Sequence, residues 1–145
     1  MNLPETPRTS TPKLRRLLLS MIYESLLLVA VLFAASFIFH YFVFRDTNSS
    51  FFKLAHQLYL LLVMGGYFSW FWTHGGQTLA MQTWKFQLVT AAGGEIKLKQ
   101  AIVRYLFAVI GVSFFACGIF WVLFDRDRQF LHDRLAGTRI VSLQE

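Results

Sequence analysis

Little in this sequence can staple or stop a helix. The single cysteine, Cys117, sits in an apolar run without a partner, which excludes an intrachain disulfide and leaves the redox compartment open. All three prolines, Pro4, Pro7 and Pro12, fall near the start with Thr and Ser between them, so residues 1–12 are expected to form a disordered tail. Acidic residues are few, 8 against 14 basic ones, and charged residues make up only 15% of the chain. What remains is 55% hydrophobic and 17% aromatic, with 16 Phe and a mean hydropathy of +0.47. A domain of 145 residues cannot hide that much apolar surface in a soluble core.

The formal charge of +6 is a weak nucleic-acid signal, because the positives flank apolar runs and the aromatics lie inside those runs rather than in a basic groove. That placement suits anionic lipid instead, and no nucleic-acid partner is expected. Three runs are long enough to be read as membrane spans: residues 17–39, 54–73 and 101–124. The first begins too far from the start, and is too long, for a cleaved secretory signal, so it is expected to stay. Tyr67, Trp70 and Trp72 close the second run with amphipathic rings of the kind found at membrane interfaces.

Between the runs the pattern changes. Residues 40–53, with Arg45, Asp46 and Asn48, are expected to form a loop at the far surface. Trp84, Phe86 and Leu88 alternate with Lys85 and Gln87, and after Gly93 and Gly94 the residues Ile96 and Leu98 alternate with Lys97 and Lys99. Period two on both sides of a glycine turn predicts a short surface hairpin, with an irregular loop as the alternative. In the tail, Asp125 to Arg128 alternate in charge ahead of Phe130, Leu131 and Leu135, which predicts an amphipathic surface helix capped by Gly137 and followed by a brief strand over residues 138–143. The expected fold is thus an all-α membrane protein with three spans, a surface hairpin or loop and an amphipathic C-terminal tail.

Basic loops stay in the cytoplasm, and Lys13, Arg15 and Arg16 share a side with Lys85, Lys97 and Lys99 if two spans separate them. The N-terminus is therefore expected inside. Three crossings then put Arg126, Arg128, Arg134 and Arg139 outside, against the rule. Either the third run crosses regardless, or it bends at Gly111 or Gly118 and returns.

Two charges lie within spans. Glu24 is a carboxylate in the first run, on one helical ridge with Arg16 and Ser20, and a buried carboxylate must be paired, protonated or wetted. Arg104, near the start of the third run, is the expected partner, or its long stem snorkels to the interface. The histidines His40, His56, His74 and His132 show no two at metal-ligand spacing, so neither a metal nor another cofactor is expected. His132 beside Asp133 has no accompanying nucleophile, Gly75 and Gly76 lack the Gly-Lys-Ser/Thr of a phosphate loop, and no catalytic residue is identified.

The segments Gly75-Gly76-Gln77-Thr78-Leu79-Ala80-Met81, Arg104-Tyr105 and Leu131-His132-Asp133-Arg134-Leu135-Ala136-Gly137-Thr138 strongly resemble the RDD family of small bacterial membrane proteins, named for one arginine and two aspartates. The likeness extends over residues 13–141, leaving residues 142–145 as a short end. Gln77, Thr78, His132, Asp133, Gly137 and Thr138 match family positions, and Arg15 or Arg16 matches the arginine ahead of the first span. Where the family usually has aspartate in that span, this chain has Glu24, one methylene longer. The resemblance implies a multi-pass protein of the bacterial inner membrane. Most members have no assigned function, and a few are regarded as cation/proton antiporters.

Two functions follow as expectations. The first is a non-catalytic membrane scaffold or accessory subunit whose tail binds another membrane protein or a second copy. The alternative is a cation/proton transporter in which Glu24 exchanges a proton for a monovalent cation, a role for which three spans would need self-association.

Overall fold

The computed structural model describes residues 9–43, 48–114, 117–126 and 129–143, with the backbone alone for Thr9 and for residues 117–119. The expectations for residues 1–8, for Arg45 and Asp46, for Asp127 and Arg128, for residues 144–145 and for the Cys117 side chain fall outside that description.

Strand β1 (Thr9–Ser10) leads into helix α1 (Leu14–Phe42), which starts once the prolines end and runs about 44 Å. Pro12 is fully buried and Thr9–Ser10 pair with another strand, so the last residues of the expected disordered tail are structured. Helix α2 (Ser50–Thr73) packs beside α1 and ends at Gly75 and Gly76, both with positive φ (94° and 68°). The second glycine is required: a Cβ there would stand 2.4 Å from the carbonyl oxygen of Leu88, and the Leu88 N–H donates to the Gly76 carbonyl at 2.7 Å. Thr78 then caps the short helix α3 (Leu79–Trp84), its hydroxyl accepting from the Met81 N–H at 3.3 Å.

Strand β2 (Phe86–Thr90) buries Phe86 and Leu88 as the alternation predicts, but its partner is not the segment after the glycine turn. Gly93 and Gly94 close a tight turn on Thr90, Ile96 enters the core, and Leu98 already begins helix α4 (Leu98–Ser113). The expected hairpin is replaced for a local reason. The Gln100 side chain accepts from the Lys97 N–H at 3.3 Å and starts a helix where a second strand would have to run.

The third apolar run is two helices, α4 and α5 (Cys117–Phe124), rather than one span. Helix α4 passes through Gly111 and ends at Ser113, about 24 Å long, and Gly118 lies within α5, so neither glycine is the bend. Helix α6 (Leu131–Ala136) packs against both α4 and α5, and touching α4 near Arg104 requires the chain to come back about 14 Å from the end of α4. The eight residues of α5 cover that return. The third run therefore folds back, as in the second of the two readings.

Gly137, at φ 69°, caps α6, and strand β3 (Thr138–Leu143) follows, both as expected. The tail helix exposes Arg134 and Leu135, but it turns Asp133 rather than an apolar residue fully inward, so it is half-buried and not seated by the apolar face expected. Strand β3 is the centre of a three-stranded antiparallel sheet, β1–β3–β2, with Leu88 opposite Ile140 and Thr9 opposite Leu143. The chain is mostly helical, but the all-α expectation is corrected by this sheet, which joins the start of the chain, the second loop and the tail at one end of the molecule.

The core lies at that end. Leu17, Trp72, Phe86, Leu88, Ile96, Ala101, Val122, Phe130 and Ile140 form one cluster, drawing on α1, α2, β2, α4, α5 and β3. Beyond it, α1 buries only Leu17, Ser20 and Ala35 and exposes Ile22, Leu26, Val29, Phe33 and Phe37. Helix α1 is long and apolar enough to cross a membrane.

Candidate functional site

Arg104 and Asp133 form a buried ion pair at the centre of the sheet end. Arg104 is in the second turn of α4, and its Nε donates to Asp133 Oδ1 at 2.6 Å, with the two side chains 5% and 0% exposed. The guanidinium carbon lies over the Trp72 ring, 4.2 Å from the centroid, so an aromatic face at the end of α2 receives the charge. Asp133 is positioned by the short helix α6, whose end is closed by Gly137. Its Oδ2, like the indole Nε1 of Trp72, has no hydrogen-bond partner among the described residues. His132 stacks on Phe130 with ring centroids 5.2 Å apart, and its Nε2 stands 3.9 Å from Asp133 Oδ1. Burial pushes the His132 pKa down to about 4, and the Arg104 charge adds to burial while Asp133 opposes it. At neutral pH the imidazole is uncharged and the ion pair stands as a closed two-charge unit.

Glu24 is handled differently. The Tyr67 hydroxyl donates to Oε1 at 2.9 Å and the Thr78 hydroxyl donates to Oε2, so one carboxylate ties α1 to α2 and to the cap of α3. Lower on the same ridge, Arg16 Nη2 donates to the Trp84 carbonyl at 3.0 Å. Gln77 Nε2 donates to the Phe86 carbonyl at 2.7 Å, and Arg15 is exposed. Asp125 accepts from Arg134 Nε at 2.8 Å and from the Gln129 N–H at 2.9 Å, which pins the connection ahead of α6.

The expected pairing of Glu24 with Arg104 is not the one found. Helix α2 packs against both α1 and α4, and each charge has a nearer partner on another element. Asp133, named from the sequence only as a match to a family position beside His132, is the partner of Arg104 that sequence reasoning missed. The signal was available in the fold-back of the third run, since a tail that returns brings Asp133 level with Arg104. Among the described residues no group of three or more His, Cys, Asp or Glu side chains is placed to hold a metal ion.

The family model of the RDD family matches residues 11–137, nearly the whole chain. The chain belongs to the RDD family. The matched stretch carries Glu24, Tyr67, Thr78, Arg104 and Asp133, the residues on which both polar sites of this RDD protein rest. An uncharacterized protein of Rickettsia prowazekii (strain Madrid E) is 38% identical over 82 residues, a stretch that covers 56% of this chain and 45% of the relative. The match thus takes in less than half the length of that relative. No solved structure matches.

Proposed function

We propose that this RDD protein is a multi-pass protein of the bacterial inner membrane, a non-catalytic scaffold or accessory subunit with both chain ends at the cytoplasmic surface. The observation that carries this reading is that its two polar sites, one buried and one half-buried, join elements of the chain to one another. Arg104 fastens α4 to the tail through Asp133, and Glu24 fastens α1 to α2 and α3 through two hydroxyls. A transport pathway needs charged groups that face a water-filled route and change partners, whereas these charges are used in holding segments together.

Membrane embedding is supported by the apolar exposure. Besides α1, helix α2 exposes Leu54, Leu58, Leu61 and Leu62, and α4 exposes Ile102, Leu106 and Ile110. Water would meet that belt at a cost no soluble domain of this size sustains; lipid meets it at none. A cytoplasmic sheet end is supported by Lys13, Arg15, Lys97 and Lys99, all exposed, and by Arg139 in β3. A third run that returns also spares the tail the charge conflict that three crossings would create, which supports this reading.

Purified protein in liposomes with a trapped pH-sensitive dye, given Na⁺, K⁺ or Li⁺ gradients, is expected to give no cation-driven proton flux. Flux that disappears in Glu24→Gln would overturn the scaffold reading and establish the antiporter.

A further inference from the structure

At the end of α1 and α2 remote from the sheet, the fold brings together two histidines that the sequence keeps well apart. His40 and His56 stand with ring centroids 4.9 Å apart and planes at 80°, one on each helix. Both are oriented by the same residue. His40 Nδ1 lies 2.8 Å from the Ser36 carbonyl oxygen, which can only accept, so Nδ1 carries the proton and Nε2 is left with a free lone pair. His56 Nε2 lies 2.6 Å from the Ser36 hydroxyl, leaving Nδ1 as its second nitrogen. Phe39 and Phe52 pack against the imidazoles and hold the rings in place.

We propose that His40 and His56 are the protein ligands of a first-row transition-metal site, His40 through Nε2 and His56 through Nδ1, with solvent completing the coordination. Imidazole selects the zinc, copper and nickel group over hard cations. An ion about 2.0–2.1 Å from each nitrogen, with tetrahedral angles, sets two imidazole centres about 5 Å apart, which is the separation seen. The remaining nitrogens already have the outer partners that ligating histidines use, a backbone carbonyl for one and a hydroxyl for the other. On metal binding at Nδ1, His56 Nε2 keeps its proton and donates to the Ser36 hydroxyl. The site is independent of Arg104, Asp133 and Glu24, so it stands or falls apart from the scaffold reading.

Zinc binding to the full-length protein in detergent, after removal of any histidine tag, tests the proposal. The expected result is one saturable site per chain in the micromolar range, weakened at least about tenfold in His40→Asn and in His56→Asn and unchanged in His74→Asn, with Ser36→Ala also weaker by about tenfold. A measurement on the unaltered protein guards against misfolded variants. Zinc should protect His40 and His56, but not His74, from diethyl pyrocarbonate as read by mass spectrometry. No saturable binding below about 100 µM, equal affinity in all variants, or no protection of the two histidines would each overturn the proposal.

Discussion

Asp133 is fully buried and Glu24 half-buried, and the groups that receive the two carboxylates differ in kind. Asp133 meets a guanidinium, and Glu24 meets two hydroxyls. Loss of Arg104 or Asp133 alone strands a buried charge and is expected to destabilise by about 3–5 kcal/mol, so Arg104→Gln and Asp133→Asn should each reduce the amount of protein in membranes, and the double variant should recover much of it. Glu24→Gln keeps an acceptor oxygen and should cost only about 1 kcal/mol, and its effect should add to that of Arg104→Gln because the two charges do not touch. Quantitative immunoblotting of membranes decides: losses that add for Arg104 and Asp133, or compensation between Glu24 and Arg104, would contradict the pairing described. Arg104 is legible in sequence as a charge that needs a partner, but the partner lies 29 residues on, past a fold-back the apolar run conceals. His132 carries a separate pH dependence. Its pKa is pushed down to about 4, below the usual histidine value, so the unfolded chain takes up a proton that the folded protein refuses. Stability from this group is complete above about pH 6.5 and is lost as pH falls toward 4, by about 2 kcal/mol between pH 6.5 and 5. Thermal unfolding in detergent should show that drop in the unaltered protein and a smaller one in His132→Gln; an equal drop in both would assign it to another group.

Elements whose boundaries are set by local chemistry were readable in the sequence, and those set by distant partners were not. The Gly137 cap, the strand after it and the buried alternation of Phe86 and Leu88 all follow from nearest neighbours and periodicity. The partner of β2 did not, because Ile96 and Leu98 alternate as a strand would while the Gln100 bond behind them begins a helix. Two glycines separate conformation from space. Gly137 has φ 69° with nothing within 4 Å of a would-be Cβ, so Gly137→Ala should cost about 1–2 kcal/mol for the left-handed backbone alone. Gly76 has a similar φ and a Leu88 carbonyl oxygen at 2.4 Å, so Gly76→Ala must also push β2 away. Thermal denaturation in detergent should place Gly76→Ala clearly below Gly137→Ala, and equal midpoints would show that the close approach to β2 is not held in solution.

For the whole molecule, the sheet decides which segments share a side. Thr9–Ser10, Phe86–Thr90 and Thr138–Leu143 are hydrogen-bonded into one layer, so the N-terminal flank, the second loop and the tail cannot lie on opposite membrane faces. In a Cys117→Ala background, Lys97→Cys and Leu135→Cys should resist an impermeant thiol reagent in intact cells and both react once the membrane is opened. Reaction of one but not the other in intact cells would show that the sheet does not form in the membrane. Sequence patterning located the three apolar runs but left open whether the third crosses or returns, because length and composition describe a run without saying whether it turns back. That turn is visible only once the tail is seen to need α4.

Because β3 is the middle strand, the sheet has a time order as well as a position. During synthesis β1 emerges first and β2 later, and neither has its partner until β3 follows. Asp133 emerges in the same step as β3, so until then Arg104 lacks the carboxylate that neutralises it. The stretch 133–143 thus acts as a latch that closes on helices already made, and a chain in which that latch fails presents quality-control proteases with an open, charge-bearing core.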